Sequence, residues 1–223
     1  MTKALSAACR RVVAIEVDGT LLPILRVVLE KCGNVELVHG DVMRLNLPDI
    51  TAPLGPFHVV ANIPYYLTTD LMNLLLTSTL PVRSISVMVQ KEAAERIVAR
   101  PGEAGYGMLA VRSQYFYDPH IALDVPACLF TPPPKVDSAF VVMPRRDRPP
   151  VDAPDEALFF KVASAAFAMR RKTMENNLIA AFRVSRDQAR AWLESCGILP
   201  GARGETLTLR DFAALSRSIR GGG

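Results

Sequence analysis

Short apolar blocks alternate with stretches of helical period through the first two thirds of the chain. Residues 11–17 are nearly all apolar and carry Glu16 close to their end, which predicts a buried strand. Asp18 or Thr20 then caps a helix running to about Leu29, and Pro23 fits only in its first turn, where its missing N–H would have no partner anyway. Residues 34–38 predict a second strand, and Gly40 permits a tight turn that leaves Asp41 at that strand's end. A third strand over 57–60 leads into Ala61-Asn62-Ile63-Pro64-Tyr65-Tyr66 and a helix over 70–76. Next come a strand over 84–89, a helix over 91–99, a Pro101-Gly102 break, a Gly105-Tyr106-Gly107 turn and a helix to about Tyr117. Strands over 121–125 and 138–143, with the loop 130–135 between them, predict a hairpin-like antiparallel pair. This alternation predicts an α/β fold built on a doubly wound, mostly parallel sheet.

The pattern changes at residues 145–155, which are rich in proline and charge, so we divide the chain into residues 1–148 and a small all-α C-terminal domain, 149–223. Helices are predicted over 155–168, 171–182, 186–196 and 209–219. Two carry start signals at capping-box spacing, Ser185 with Gln188 and Thr208 with Asp211. There is no internal repeat, and the Gly221-Gly222-Gly223 end is expected to fray.

Composition narrows the class. The chain has 223 residues, half of them hydrophobic, enough for a sizeable core. Cys9, Cys32, Cys128 and Cys196 lie far apart, and His39, His58 and His120 do not join them at ligand spacing, so no metal site is expected. Reduced thiols, a cytoplasmic location and a monomer are the default expectations. No run approaches the roughly 20 apolar residues of a membrane span, and the charged-then-apolar order of a signal peptide is absent. Residues 1–143 hold 12 Lys/Arg against 13 Asp/Glu, whereas residues 144–223 hold 14 against 9. The positive charge therefore sits in the tail, where a polyanion would be met or where arginine-rich helix faces are simply solvated.

In an open parallel sheet, ligands bind at the carboxyl ends of the strands. Glu16, Asp41 and Asn62 occupy three successive ends of this kind. A carboxylate there can accept from both hydroxyls of a ribose or from an adenine amino group, although such acids also serve as helix caps. At the third end Asn62 offers an amide oxygen, Ile63 a carbonyl held extended by Pro64, and Tyr65 a flat ring. Two acceptors and a stacking face suit an exocyclic amine on a planar heterocycle. Alone, the same residues also describe an ordinary strand-to-helix turn.

Five stretches in order extend the picture: Ala61–Tyr66, Val89–Arg96 (VQKEAAER), Phe130–Ala139 (FTPPPKVDSA), Arg170–Leu178 (RRKTMENNL) and Gly204–Leu207 (GETL). Together they resemble the rRNA adenine N6,N6-dimethyltransferases, with a tail closer to the branch acting on small-subunit rRNA than to the macrolide-resistance branch. The resemblance implies a Rossmann-like methyltransferase fold, S-adenosyl-L-methionine as cofactor, and small-subunit rRNA or its precursor particle as partner, with no membrane. It further implies that Glu16 holds the cofactor ribose and that Asp41, with the Val42 backbone, holds its adenine. Asn62, Ile63, Pro64 and Tyr65 would hold the target adenine, Asn62 also bordering the cofactor, and Phe130 would form the opposite aromatic wall. Arg170, Arg171 and Lys172 would contact RNA phosphates.

The match departs from the family at its start. Relatives place a first strand and a Gly-rich turn, which cradles the methionine part of the cofactor, ahead of the region where this chain begins with Met1-Thr2-Lys3-Ala4-Leu5. Apart from the Gly221-Gly222-Gly223 end, the only G-x-G here is Gly105-Tyr106-Gly107. The resemblance thus leaves a truncated or misassigned start beside a cofactor-crippled relative, and it implies weak cofactor binding, little activity and exposed apolar surface on residues 11–17. A non-catalytic RNA-binding assembly factor is the competing reading. An adenine-N6 DNA methyltransferase shares the Asn-Ile-Pro-Tyr logic but leaves the Phe-Thr-Pro-Pro-Pro loop and the helical tail unexplained.

Overall fold

The computed structural model describes residues 1–221, whose contacts divide into two units: Met1–Phe57 with Thr77–Val82, and His58–Leu76 with the chain from Arg83 onward. The first unit opens with a helix not foreseen from sequence, α1 (Thr2–Ala8), followed by β1 (Val12–Glu16), α2 (Leu22–Leu29), β2 (Val35–His39) and a short α3 (Leu47–Thr51). β1 and β2 pair in parallel from Val12↔Val35 to Glu16↔His39. Asn34 fixes α1 in place: its amide nitrogen donates to the carbonyls of Ser6 and Cys9 at 2.9 and 2.8 Å, and its oxygen accepts from the Ser6 hydroxyl. These bonds occupy carbonyls that the helix end leaves without internal partners.

Asp18 does cap, but it caps a 3-10 turn over Gly19–Leu21, with α2 starting at Leu22 and Pro23 in its first turn. The Thr20 hydroxyl and amide hold the Asp18 carboxyl below its ordinary range. Of residues 11–17, on which exposed apolar surface was expected, Val17 alone among the apolar ones is exposed. Val12–Glu16 are all half-buried, because β2 pairs along one edge and α1 packs on the strand. Exposed apolar side chains of this unit include Val17 at 62% and, on α2, Ile24, Val27 and Val28 at 59%, 74% and 52%.

The second unit carries a four-stranded sheet in the order β3 (Phe57–Asn62), β4 (Val82–Gln90), β6 (Ser138–Pro144), β5 (His120–Val125). β6 runs antiparallel to both neighbours, whereas β3 and β4 advance in the same direction, from Phe57 N–H on the Pro81 carbonyl to Ile63 N–H on the Met88 carbonyl, so the sheet is mixed and the anticipated antiparallel pair forms its far edge. Ile85, Val87 and Val89 of β4 and Ala139, Val141 and Met143 of β6 are buried, with half-buried residues between them: one face of each strand is fully covered and the other partly so. Helices α4 (Thr68–Thr77), α5 (Lys91–Val98) and α6 (Met108–Phe116) alternate with these strands.

The tail folds as α7 (Glu156–Ala168), α8 (Met174–Phe182), α9 (Arg186–Ser195) and α10 (Leu209–Gly221). α8 starts three residues later than its pattern suggested, because Thr173 takes the cap and accepts from the Asn176 amide. Of the two predicted capping boxes, the one at Thr208 forms reciprocally, and the one at Ser185 forms its hydroxyl half. The Ser185 hydroxyl accepts from the Gln188 amide, while Thr208 and Asp211 exchange bonds of 2.8 and 3.2 Å. Of the glycine end, Gly221 closes α10, and Gly222 and Gly223 lie outside the described residues. One hydrophobic cluster joins Ala99, Tyr106, Val111 and Tyr115 to Phe159, Leu178, Trp192 and Phe212. Burial and the neighbouring Glu156 push the Tyr115 phenol up to about 12.

Two tail motifs converge on the carbonyl of Ala166. The buried Asn177 amide donates to it at 3.2 Å, and Gly204 lies so close that an added Cβ would sit 2.1 Å from the same oxygen. The backbone on either side of Gly204 is fixed as well, by Met174 N–H donating to Ala202 and by the Tyr106 hydroxyl donating to the Leu207 carbonyl. A methyl group at Gly204 must therefore displace backbone rather than a flexible side chain. Gly204→Ala is expected to destabilise the chain by about 1–3 kcal/mol or more, read as a lower urea midpoint at unchanged m-value; an unchanged midpoint would mean that α7 and this turn separate freely.

Candidate functional site

Three of the five sequence stretches meet at one end of the four-stranded sheet. The antiparallel register sets Ser138, the first residue of β6, opposite Gln90, the last of β4. Ser138 is 1% exposed, and its hydroxyl oxygen lies 2.9 Å from the Tyr65 hydroxyl, a hydrogen bond across 73 residues of sequence. The preceding residue ties the loop down: the Asp137 carboxylate accepts from the Ala127 amide at 2.9 Å, and its backbone carbonyl accepts from the Lys91 amide at 3.0 Å. The Lys91 ammonium in turn meets Asp124 at 3.1 Å, which raises its pKa. A depression of about 430 Å³ opens here, lined by Gln90, Lys91, Glu92, Lys135, Val136 and Asp137.

Asn62 ends β3 and is exposed, with no hydrogen bond to its side chain among the described residues. Ile63 is 2% exposed; its N–H donates to the Met88 carbonyl at 3.1 Å, whereas no described backbone amide donates to its own carbonyl. Pro64, at φ −53° and ψ 135°, turns the chain into a 3-10 turn over Tyr65–Leu67. The Tyr65 ring is half-buried and Tyr66 is 84% exposed. Phe130 ends a 3-10 turn over Ala127–Leu129 in extended conformation, half-buried, and its ring joins none of the aromatic contacts among the described residues. Sequence reasoning gave no role to Gln90, Asp137 or Ser138; the signal was there in the polar pair that opens an otherwise apolar strand.

Within the first unit, Glu16 and Asp41 come to the same end of the parallel pair, where the Gly40 amide donates to the Glu16 carbonyl at 2.9 Å. One oxygen of each carboxylate closes a local turn, Glu16 accepting from Asp18 N–H at 2.8 Å and Asp41 from Met43 N–H at 2.9 Å. The second Glu16 oxygen has no partner among the described residues, and that of Asp41 has only Arg44 at 3.5 Å. Val42 follows in the turn, half-buried. Each acid thus combines a turn-closing oxygen with one still able to accept from a ligand.

Arg170, Arg171 and Lys172 are exposed in the turn between α7 and α8, whose Lys172 amide donates to the Met169 carbonyl. No ion pair engages them among the described residues. The rest of that stretch points inward. Glu175 is buried and bridged by Arg186 at 3.3 Å and Arg190 at 3.2 Å, and Asn177 holds Ala166. Among the described residues there is no group of three or more His, Cys, Asp or Glu placed to hold a metal, and no helix is long and apolar enough to cross a membrane.

This arrangement has counterparts in known proteins. The profile of the family described as ribosomal RNA adenine dimethylase matches residues 1–220. A ribosomal RNA small subunit methyltransferase A from Geobacillus sp. (strain WCH70) is 40% identical over 227 residues, covering 99% of this chain and 78% of the relative. The protein of the same description from Enterococcus faecalis is 42% identical, covering 98% and 77%. Among solved structures, the 23S rRNA methyltransferase ErmE superposes with a TM-score of 0.74 at 23% identity, over 98% of this chain and 86% of that one. A dimethyladenosine transferase from Plasmodium falciparum gives the same TM-score at 21% identity, over 96% and 85%. The two structures share the Rossmann-like fold, and the extent of the profile match together with these identities shows that the chain belongs to the ribosomal RNA adenine dimethylase family.

Proposed function

We propose that this protein transfers methyl groups from S-adenosyl-L-methionine to the N6 amines of adenines in small-subunit rRNA, with residues 1–148 carrying the chemistry and the helical residues 149–223 docking the RNA. The observation that carries the reading is the pair of unspent acceptors at the end of β3, the Asn62 amide oxygen and the Ile63 carbonyl, beside a tyrosine pinned to Ser138. An adenine must leave its stack to be methylated, and Tyr65 and Phe130 supply flat faces for it. Accepting hydrogen bonds from both N6 hydrogens, Asn62 and Ile63 draw the amine toward tetrahedral geometry and free its lone pair for attack. No strong general base is needed, because the amine becomes cationic in the transition state and sheds its proton afterwards.

The cofactor supplies an electrophilic methyl on a sulfonium. The residues present fit its adenosine half: Glu16 keeps a free carboxylate oxygen for ribose hydroxyls, and Asp41 with Val42 stands beside it for the adenine amine. The methionine half is assigned to none of the described residues.

Asn62→Ala is expected to lower methyl transfer to small-subunit rRNA by on the order of 10²-fold or more while RNA affinity stays within a few-fold, since the lost acceptor acts at the transition state. Wild-type turnover by the variant would remove Asn62 from the mechanism. Tyr65→Ala and Phe130→Ala should each weaken stacking by roughly 1–3 kcal/mol, measured as poorer trapping of a 2-aminopurine at the target position. If instead the fluorescence is unchanged and the melting temperature falls sharply, the rings belong to the core. Neutralising Arg170, Arg171 and Lys172 together should flatten the slope of log K against log salt by about 2 to 3; a stability loss at constant slope would make the cluster structural.

A further inference from the structure

The end of the sheet opposite Ser138 carries a second cationic surface, built differently from the 170–172 turn. There the Arg145 amide donates to the Arg83 carbonyl at 2.8 Å, joining the end of β6 to the start of β4. The Arg145 guanidinium lies over the rings of Tyr117 at 5.5 Å and Phe116 at 5.9 Å, and its Nη1 donates to the Tyr117 hydroxyl at 3.3 Å. Burial raises the Tyr117 phenol pKa, and the guanidinium beside it opposes the rise. Phe116 packs on Phe160 at 5.5 Å, and Arg112 lies over Phe160 at 5.0 Å, so two guanidiniums are laid along one aromatic row.

Rings hold an arginine without cancelling its charge, because the attraction is to a quadrupole rather than to a carboxylate. The neighbouring Arg146 shows the opposite use: Asp118 pairs with it at 2.6 Å, and the Gln114 and Tyr117 carbonyls at the end of α6 take its Nε. With Asp118 engaged, Asp147 is the remaining acid beside the depression of about 370 Å³ lined by residues 144–148 and Asp118. Arg83, Arg145 and Arg148 are exposed there and meet no carboxylate among the described residues. Arg145, ordered on its rings and uncancelled, complements a chain of phosphates with little side-chain freedom left to lose on contact, and the exposed guanidiniums of Arg83 and Arg148 add charge beside it.

We propose that Arg145, Arg148 and Arg83, with Arg112 beside them, form a second RNA-backbone contact at the end of the sheet away from the target-base site. This deepens the rRNA reading given above and rests on it. The nine residues of β4 separate the two ends by about 26 Å at about 3.3 Å per residue, the span of roughly eight stacked nucleotides. The surface therefore engages RNA remote from the modified adenines and distinguishes a large folded RNA from a minimal fragment.

The test compares wild type, Arg145→Gln with Arg148→Gln, and Arg83→Gln with Arg148→Gln. The side chains of the last pair touch no ring or side-chain partner among the described residues, so folding stays intact. Each full-length protein is titrated over a range of salt with protein-free small-subunit rRNA and with a hairpin bearing the target adenines but too short to span the sheet. On the long RNA each double variant should flatten the salt slope by about 2, and on the hairpin both affinity and slope should match wild type. Unchanged slopes on the long RNA would overturn the surface, as would equal losses on both RNAs. Losses seen with the assembled particle but not with protein-free rRNA would assign the surface to a protein and overturn the RNA contact. A wild-type chain with no salt-dependent affinity for the rRNA would overturn the functional reading and this surface together, whereas wild-type binding with unaltered variants overturns the surface alone.

Discussion

The pairing of β6 with β4 is the constraint on which the rest of the sheet's chemistry depends. Its register runs from Gln90↔Ser138 at one end to Ser84↔Pro144 at the other. A slip of one residue would send every side chain of β6 to the opposite face. The Tyr65 hydroxyl would lose its buried partner, and leaving such a group unsatisfied costs about 1–3 kcal/mol. The Lys91 amide would lose the Asp137 carbonyl in the same step. At the far end the same ladder joins Arg145 to Arg83, so one pairing positions both the acceptor turn and the arginine row. The alternating apolar residues Val87, Val89, Val141 and Met143 hold that register, because slippage would expose them.

Much of this was legible in the sequence, for identifiable reasons. Strand and helix order followed from the change of period, and the Ser185 and Thr208 starts followed from capping chemistry confined to four residues. Where the reading failed, local signals were weak or tertiary contacts intervened. α1 has seven residues with no side-chain cap, and what holds it is Asn34, 28 positions away from Ser6. α8 starts later than its predicted span because Thr173 ends the preceding turn and takes the cap. At the candidate site the acceptors and the ring could be named from residue type, since Asn62, Ile63 and Tyr65 lie within four consecutive residues. Asp137 and Ser138 could not, because their partners lie across the sheet and only the register connects them.

The five motif stretches divide between two kinds of work, which their sequences do not reveal. Asn62 to Tyr65, Gln90 with Lys91, and Asp137 with Ser138 meet at a sheet end that leaves acceptors unspent. Arg170–Leu178 and Gly204–Leu207 meet instead on one carbonyl of α7, to which Asn177 donates and against which Gly204 packs, while Arg170, Arg171 and Lys172 stay exposed. Asn177 looks like a ligand-binding amide and is buried holding Ala166; Asn62, of the same residue type, is exposed and has no partner among the described residues. Residue type alone does not separate a binding group from a structural one. What separates them is whether the fold has closed over the group or left it open, since Asn177, whose Oδ1 has no partner among the described residues, is nonetheless sealed from any ligand.

The same distinction governs the positive charge. By count the tail third is strongly basic, but a buried carboxylate such as Glu175 needs neutralising partners, and it takes both Arg186 and Arg190. Arg146 goes to Asp118 and to the carbonyls closing α6, and Arg217 to the Asp152 carbonyl. Net charge therefore overstates the surface that this part of the chain offers to a polyanion. Among the arginines left for it, two sorts contrast: those in an open turn, which must give up side-chain freedom on contact, and those already ordered on aromatic rings, which need not. At equal charge the second sort retains more of each phosphate contact as binding energy, so the aromatic row beneath Arg145 and Arg112 matters as much as the guanidiniums themselves.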